Sequence, residues 1–289
     1  MKYYFLLIAF LAITLISCSD DNTTNPPAAD PVAYTNADGI KGGMLFDKFW
    51  ATETGFDQTN ANITKLNASA DFFRCKQCHA WDLMGRNGSY NNRAPKTTRP
   101  NVADRNLRTT ASNLTPQALF DAIKKGLGKS RRDISADLST YDPATNSTIG
   151  DQMPDFSKIL TDAQIWDIVK FLKTEALDVT KLYDATYSGT YPTGTATYSN
   201  IGKDGDATAG NTFYTAKCAI CHGADGKQIP NLDGTTGMTV GKFARTKPNE
   251  LQHKMKFGQL GSSMKATAGT ITDFKNLYKA LADTTKYPN

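Results

Sequence analysis

Cys218-Ala219-Ile220-Cys221-His222 places two cysteines two residues apart, with a histidine directly after the second. The same pattern occurs earlier as Cys75-Lys76-Gln77-Cys78-His79. The 289-residue sequence has only five cysteines and three histidines, so coincidence does not account for two such copies. The surrounding segments repeat as well. Pro100-Asn101-Val102 follows the first copy, and Pro230-Asn231-Leu232 follows the second. Leu119, Ile123 and Gly126 then match Leu251, Met255 and Gly258, on a helix that stops at glycine. Ile165, Ile168 and Leu172 match Phe274, Leu277 and Leu281 on a closing apolar helix.

Cys-x-x-Cys-His is the attachment signature of c-type haem. The two thiols add to the two vinyl groups on one porphyrin edge, and the histidine is then held under the iron as its proximal ligand. Cys75, Cys78 and His79 would carry one haem c, and Cys218, Cys221 and His222 a second. Zinc is the competing reading of two CxxC pairs. The immediate histidine, the export segment and the matched methionines described below argue against it.

The N-terminus is a targeting segment. Lys2 precedes an apolar run from Tyr3 to Ile16 that is too short and wrongly flanked for a spanning helix. It ends in Leu15-Ile16-Ser17-Cys18, which resembles the lipobox of bacterial lipoproteins, with Cys18 as the lipidated mature N-terminus; an ordinary signal peptide with an incidental cysteine is the alternative. Residues 1–17 are then the signal peptide and 18–37, rich in Pro, Asn and Asp, a flexible tether. Ser19 is not the aspartate that retains enterobacterial lipoproteins in the inner membrane. The resemblance therefore implies lipid anchoring at the periplasmic face of the outer membrane, or at the surface, of a Gram-negative bacterium. With Cys18 acylated, no cysteine is left for a disulfide or a nucleophile. The formal net charge of +5, offset by haem propionates, makes no case for nucleic acid.

Apolar residues at 45, 46, 49 and 50 predict a first helix over 38–50, and 51–71 reads as an inserted loop. Another loop spans Trp81 to Arg99. Thr115 caps a helix with Pro116 at its first position. Thr161-Asp162-Ala163-Gln164 opens the last helix of this half. Residues 180–202 read as an interdomain linker that contains a hairpin, and a new helix begins near Asp206.

The order of helix, motif, Pro-containing loop, helix, ligand loop and helix resembles class I cytochrome c in tandem. The resemblance implies an all-α fold of two cytochrome c-like domains, 38–179 and 203–289, each around one covalently bound haem c and with long loops. It also implies a methionine as sixth iron ligand in each. Met153-Pro154 resembles the usual ligand dipeptide. In the second half Met264, in Gly258-Gln259-Leu260-Gly261-Ser262-Ser263-Met264, resembles the Gly-Gln-Pro-Gly-x-x-Met-Pro loop, with Leu260 and Lys265 where prolines usually stand. Met255 reads as core, and Met238 precedes the helix that should lead into the ligand loop. Backbone carbonyls of Pro100 and Pro230 would accept from the proximal imidazoles; each proline otherwise simply stiffens its loop.

His253 remains. An exposed helical position is expected for it, with haem ligation as in dihaem peroxidases the alternative. Basic residues Lys124, Lys125, Lys129, Arg131, Arg132, Lys254, Lys256 and Lys265 either steer an acidic redox partner or form solvated faces. Two His/Met haems imply a carrier of single electrons between redox protein partners rather than an enzyme. A dihaem peroxidase, a thiosulfate dehydrogenase-like enzyme and a cytochrome subunit of a larger oxidoreductase are the alternatives.

Overall fold

The computed structural model describes residues 30–51, 74–96, 99, 101–124, 131 and 153–289. Cys18 and the signal segment, most of the first inserted loop, Pro100, Lys125, Gly126, Lys129 and Arg132 lie outside them.

Each half is built on one crossing of its first and last helices. In the first half α1 (Gly39–Lys48) follows Asp38, whose carboxylate accepts from the N–H groups of Ile40 at 2.9 Å and Lys41 at 3.0 Å. That satisfies donors which the helix itself cannot. The predicted stripe Leu45, Phe46, Phe49 and Trp50 is buried. The closing helix of this half, α5 (Asp162–Lys170), starts from a capping box between Thr161 and Gln164 and continues as a wider turn, Phe171–Glu175. The Asp38 N–H donates to Asp167 Oδ1 at 2.8 Å, and a methyl group on Gly42 would overlap the Asp167 carbonyl. The second half repeats this. Helix α6 (Ala207–Lys217) is capped by Asp206, and α10 (Ile271–Leu281) by a box between Thr270 and Asp273. The Asp206 N–H donates to Asn276 Oδ1 at 2.8 Å, and Gly210 lies against the Asn276 carbonyl. Two glycines let the backbones touch.

Between these helices the first half has α2 (Cys75–His79), α3 (Leu107–Asn113) and α4 (Pro116–Lys124). The second has α7 (Ala219–His222), α8 (Val240–Thr246) and α9 (Pro248–Phe257). The sequence reading did not contain α3 or α8. Both are single seven-residue segments with weak periodicity, held by caps at Asn106 and Thr239. The matched repeat positions behave alike: Leu119, Ile123, Leu251 and Met255 are buried, as are Ile165, Ile168, Leu172, Phe274, Leu277 and Leu281. Buried apolar residues form one large cluster in each half, Phe257 of the second half joining that of the first, and a small third cluster of Ala80, Trp81, Tyr90 and Val102.

The fold is helical but not purely so. The hairpin expected in the linker forms from β1 (Asp184–Ser188) and β2 (Thr195–Ser199), antiparallel, with Asp184 opposite Ser199. It closes on the first half. Asn91 Nδ2 donates to the carbonyls of Ser188 at 3.2 Å and Thr195 at 2.8 Å, and Tyr187 OH donates to the buried Asp82 at 3.1 Å.

His253 departs from the sequence expectation. It is 1% exposed, because α9 lays one face on the first half. Its Nε2 lies 3.0 Å from the Gly43 carbonyl and therefore donates to it. Its ring sits 4.6 Å from Phe257 and 4.7 Å from Trp81, with Phe46 and Phe171 completing the box. Gly43 has no side chain, which lets the Phe257 ring enter the first core. Lys254 and Lys256 are likewise not solvated. Lys254 pairs with Glu250 at 3.1 Å, and Lys256 reaches across to Glu175 at 2.9 Å.

Burial pushes the His253 imidazole down to about 4, with Lys254 and Arg74 acting the same way and Asp47 and the Gly43 hydrogen bond opposing. The folded state therefore resists a proton that the unfolded chain takes up near pH 6.5. Stability should be unaffected above that pH and should fall as the pH drops towards 4, with His253 alone costing roughly 2 kcal/mol between pH 7.5 and 5. Guanidinium unfolding of wild type and His253→Phe at the two pH values checks this. An equal pH dependence in both proteins would refute it.

Candidate haem sites

The two motifs adopt one local structure. In the first, α2 begins after Arg74, and the Ala80 N–H donates to the Lys76 carbonyl at 2.9 Å. In the second, α7 begins after Cys218, and the Gly223 N–H donates to the Ala219 carbonyl at 2.8 Å. The residue after each histidine turns sharply: Ala80 at φ 62°, ψ 168° and Gly223 at φ 78°, ψ 166°. That region is essentially reserved for glycine, so Ala80 is strained. The loop after His79 is fixed by the Ala103 N–H donating to the Cys78 carbonyl at 2.7 Å. Asp82 also fixes it, accepting from Ser89 N–H at 2.7 Å and Met84 N–H at 3.1 Å. In the second half Tyr214 OH donates to the Gly223 carbonyl at 2.8 Å.

The electrostatics suit neutral groups. Burial pushes the Cys75 thiol up to about 12, with Cys78 adding to the rise, and pushes Cys78 up to about 12 as well. Cys218 rises to about 11 from burial and then from Cys221. A thioether carries no charge, which suits these buried positions. His79 is held down to about 4 by burial and then by Arg105 and Arg131, and His222 is lowered by burial. Neutral imidazole is the metal-binding form. Among the described residues no group of three His, Cys, Asp or Glu gathers as a metal-ion site.

Met153 is half-buried on the apolar cluster that Cys75 also touches, after α4 and before α5. Met264 occupies the corresponding place, after α9 and before α10. Its loop lacks both prolines but is closed by hydrogen bonds: Gln259 N–H donates to the Met264 carbonyl at 3.0 Å, and Met264 N–H donates to Ser262 Oγ at 3.1 Å. Gly258 and Gly261, both at φ 83°, make that turn. Met255 and Met238 are buried in the second core. The Nδ1 atoms of His79 and His222 are both buried and make no hydrogen bond within the structure. Pro230 is exposed, and its loop is tied to itself through Leu232 N–H and the Met238 carbonyl at 3.0 Å. Its carbonyl does not accept from His222 here.

Sequence reasoning did not single out Trp81, two residues beyond His79. Its carbonyl accepts from Gln252 Nε2 at 2.8 Å, and its ring meets His253. Nothing short of the tertiary contact marks it.

Comparison with protein-family models agrees with this geometry. Residues 66–176 match the cytochrome c model. Residues 205–278 match the model of the cbb3-type cytochrome c oxidase subunit III. No curated protein and no solved structure matches. Each half thus carries a domain of cytochrome c type, and the chain is a c-type cytochrome. Such domains bind haem c covalently and use it for electron transfer. The neutral thiols and neutral imidazoles fit that group.

The strain at Ala80 has a measurable consequence. Ala80→Gly should stabilise the haem-loaded protein by about 1 kcal/mol, and Gly223→Ala should destabilise it by about 1–3 kcal/mol. Urea midpoints check both, and shifts of the same sign in the two variants would refute the assignment.

Proposed function

We propose that the chain is a dihaem electron carrier with two His/Met-ligated haems, exchanging single electrons with redox protein partners. His79 and Met153 hold one iron, and His222 and Met264 the other. The observation that supports this is the matched placement of Met153 and Met264 between the last two long helices of each half. Bound haem supplies a one-electron iron couple. The chain's own part would be to hold the histidine and methionine ligands of each iron and keep them neutral. Two protein ligands per iron leave no position open to a substrate, which favours a carrier over an enzyme. The peroxidase alternative needs His253, and that ring is enclosed by Trp81, Phe46, Phe171 and Phe257 and bonded to Gly43. A thiosulfate-oxidising enzyme needs a cysteine ligand outside the motifs, and only Cys18 stands outside them.

We also propose that Cys18 is acylated and holds the carrier on the periplasmic face of the outer membrane or on the cell surface. Among the described residues no helix is long and apolar enough to cross a membrane, and more than one acyl chain anchors stably.

Near-infrared spectroscopy with a redox titration tests the ligand set. The oxidised protein should show two methionine-to-iron bands. Met153→Ala and Met264→Ala should each abolish one band and lower one potential, while Met238→Ala and Met255→Ala keep both bands. Survival of both bands in Met264→Ala would refute the second assignment. For the anchor, Cys18→Ala should move the mature protein from the detergent phase to the aqueous phase on Triton X-114 partition. Unchanged partition would refute acylation.

A further inference from the structure

The two motifs differ in how deeply they are set. Ala80 and Trp81, the two residues after His79, are buried, whereas the matching Gly223 is half-buried and Ala224 exposed. Between the cysteines Gln77 is buried and the matching Ile220 exposed. Gln252 on α9 donates to the Trp81 carbonyl at 2.8 Å, so the second half itself covers the first motif. The second motif stays at the surface.

Charge adds to this. Two arginines from separate segments act on His79. Arg105 comes two residues after Ala103, whose N–H donates to the Cys78 carbonyl at 2.7 Å. Arg131 lies between α4 and α5, on the same connection as Met153. Its Nη2 donates to the Ala122 carbonyl at 2.8 Å, which holds the guanidinium, while its Nε is buried and makes no hydrogen bond. Asp155 faces Arg131, but that carboxylate already accepts from Ser157 N–H at 3.0 Å and Ser157 Oγ at 2.5 Å. No acid is among the groups that act on His79. Arg74 is a different case, since its charge is matched by the buried Asp47. At His222 no charged group acts.

Ferric haem carries one positive charge more than ferrous haem. Burial and neighbouring cations both disfavour that charge, and both are stronger at the first site. We infer that the first haem has the higher potential, so that an electron taken up by the chain passes through the second haem and comes to rest on the iron held by His79. Arg105 and Arg131 widen the gap between the two. The inference rests on the dihaem reading and adds to it a direction of internal transfer.

Spectroelectrochemical titration of the haem-loaded chain at low ionic strength, followed at the methionine-to-iron bands, tests the order. Two separate potentials are expected. The band that remains in Met264→Ala should titrate at the upper one, and the band that remains in Met153→Ala at the lower one. Arg105→Gln and Arg131→Gln should each shift the upper potential downward and leave the lower one in place, whereas Arg131→Lys should keep both. Arg105 is exposed, so its variant serves if Arg131→Gln does not fold. The inference is overturned if the two potentials coincide or if the Met264→Ala band titrates at the lower one. It is equally overturned if the glutamine variants shift neither potential, or shift the lower as much as the upper. Fewer than two bands in the wild-type protein would overturn the dihaem reading and this inference with it; two bands in the wrong order overturn this inference alone.

Discussion

The crossing of the first and last helix in each half is the constraint on which the remainder depends. Gly42 against the Asp167 carbonyl and Gly210 against the Asn276 carbonyl bring two helix backbones into direct contact. Each contact is locked at the helix start, where the Asp38 or Asp206 N–H finds Asp167 or Asn276. In both halves the partner residue stands six positions after the capping threonine, Thr161 or Thr270. A side chain as small as a methyl would push the backbones apart, and close-packed interiors transmit such shifts rather than absorb them. With the crossing fixed, the segment after the first helix has to leave from one place. In the second half only one residue separates α6 from α7, so the motif's orientation follows from the helix that precedes it.

Much of this was legible because it is local or repeated. The Cys-x-x-Cys-His pentapeptides, the Thr161 and Thr115 caps and the stripe at Leu45, Phe46, Phe49 and Trp50 each need only a few neighbouring residues. The duplicated Leu-x-x-x-Ile/Met spacing chose Met255 as core, and its burial agrees. What could not be read is tertiary. Helices α3 and α8 are too short and too polar for periodicity to show, and they exist because their caps and neighbours hold them. His253 sits beside Lys254 and opposite Asp121 in the repeat, a polar context that points to solvent. Its burial depends on Gly43, 210 residues away. The paired aspartate-to-glycine spacing of Asp38 with Gly42 and Asp206 with Gly210 was present in the sequence as a repeat and is meaningful only once the crossing is seen.

The interface between the halves is a consequence of the second half being small. Eighty-odd residues bury a limited core, and α9 adds to it by placing Phe257 and His253 among first-half aromatics. The donation from Gln252 to the Trp81 carbonyl and the Lys256–Glu175 pair extend the same contact. These groups are buried and partnered, so they specify one relative placement more than they add stability, which is what buried polar contacts do best.

That placement makes two identical motifs unlike each other. Lys76 and Gln77, both polar, are 6% and 0% exposed, while the apolar Ile220 in the matching stretch is 86% exposed. The usual rule is inverted at both positions, and the interdomain contact explains the first: Lys76 lies against Trp81, the ring that His253 and Lys254 reach from the other half. The charge surroundings differ in parallel. Arg105 and Arg131 help hold His79 neutral, whereas at His222 burial acts alone. A cationic surround opposes any further gain of positive charge at the same place. The two sites are therefore chemically distinct even though both carry the Cys-x-x-Cys-His pattern: the residues between the cysteines differ, Arg105 and Arg131 act only on the first histidine, and α9 reaches the Trp81 ring beside Lys76.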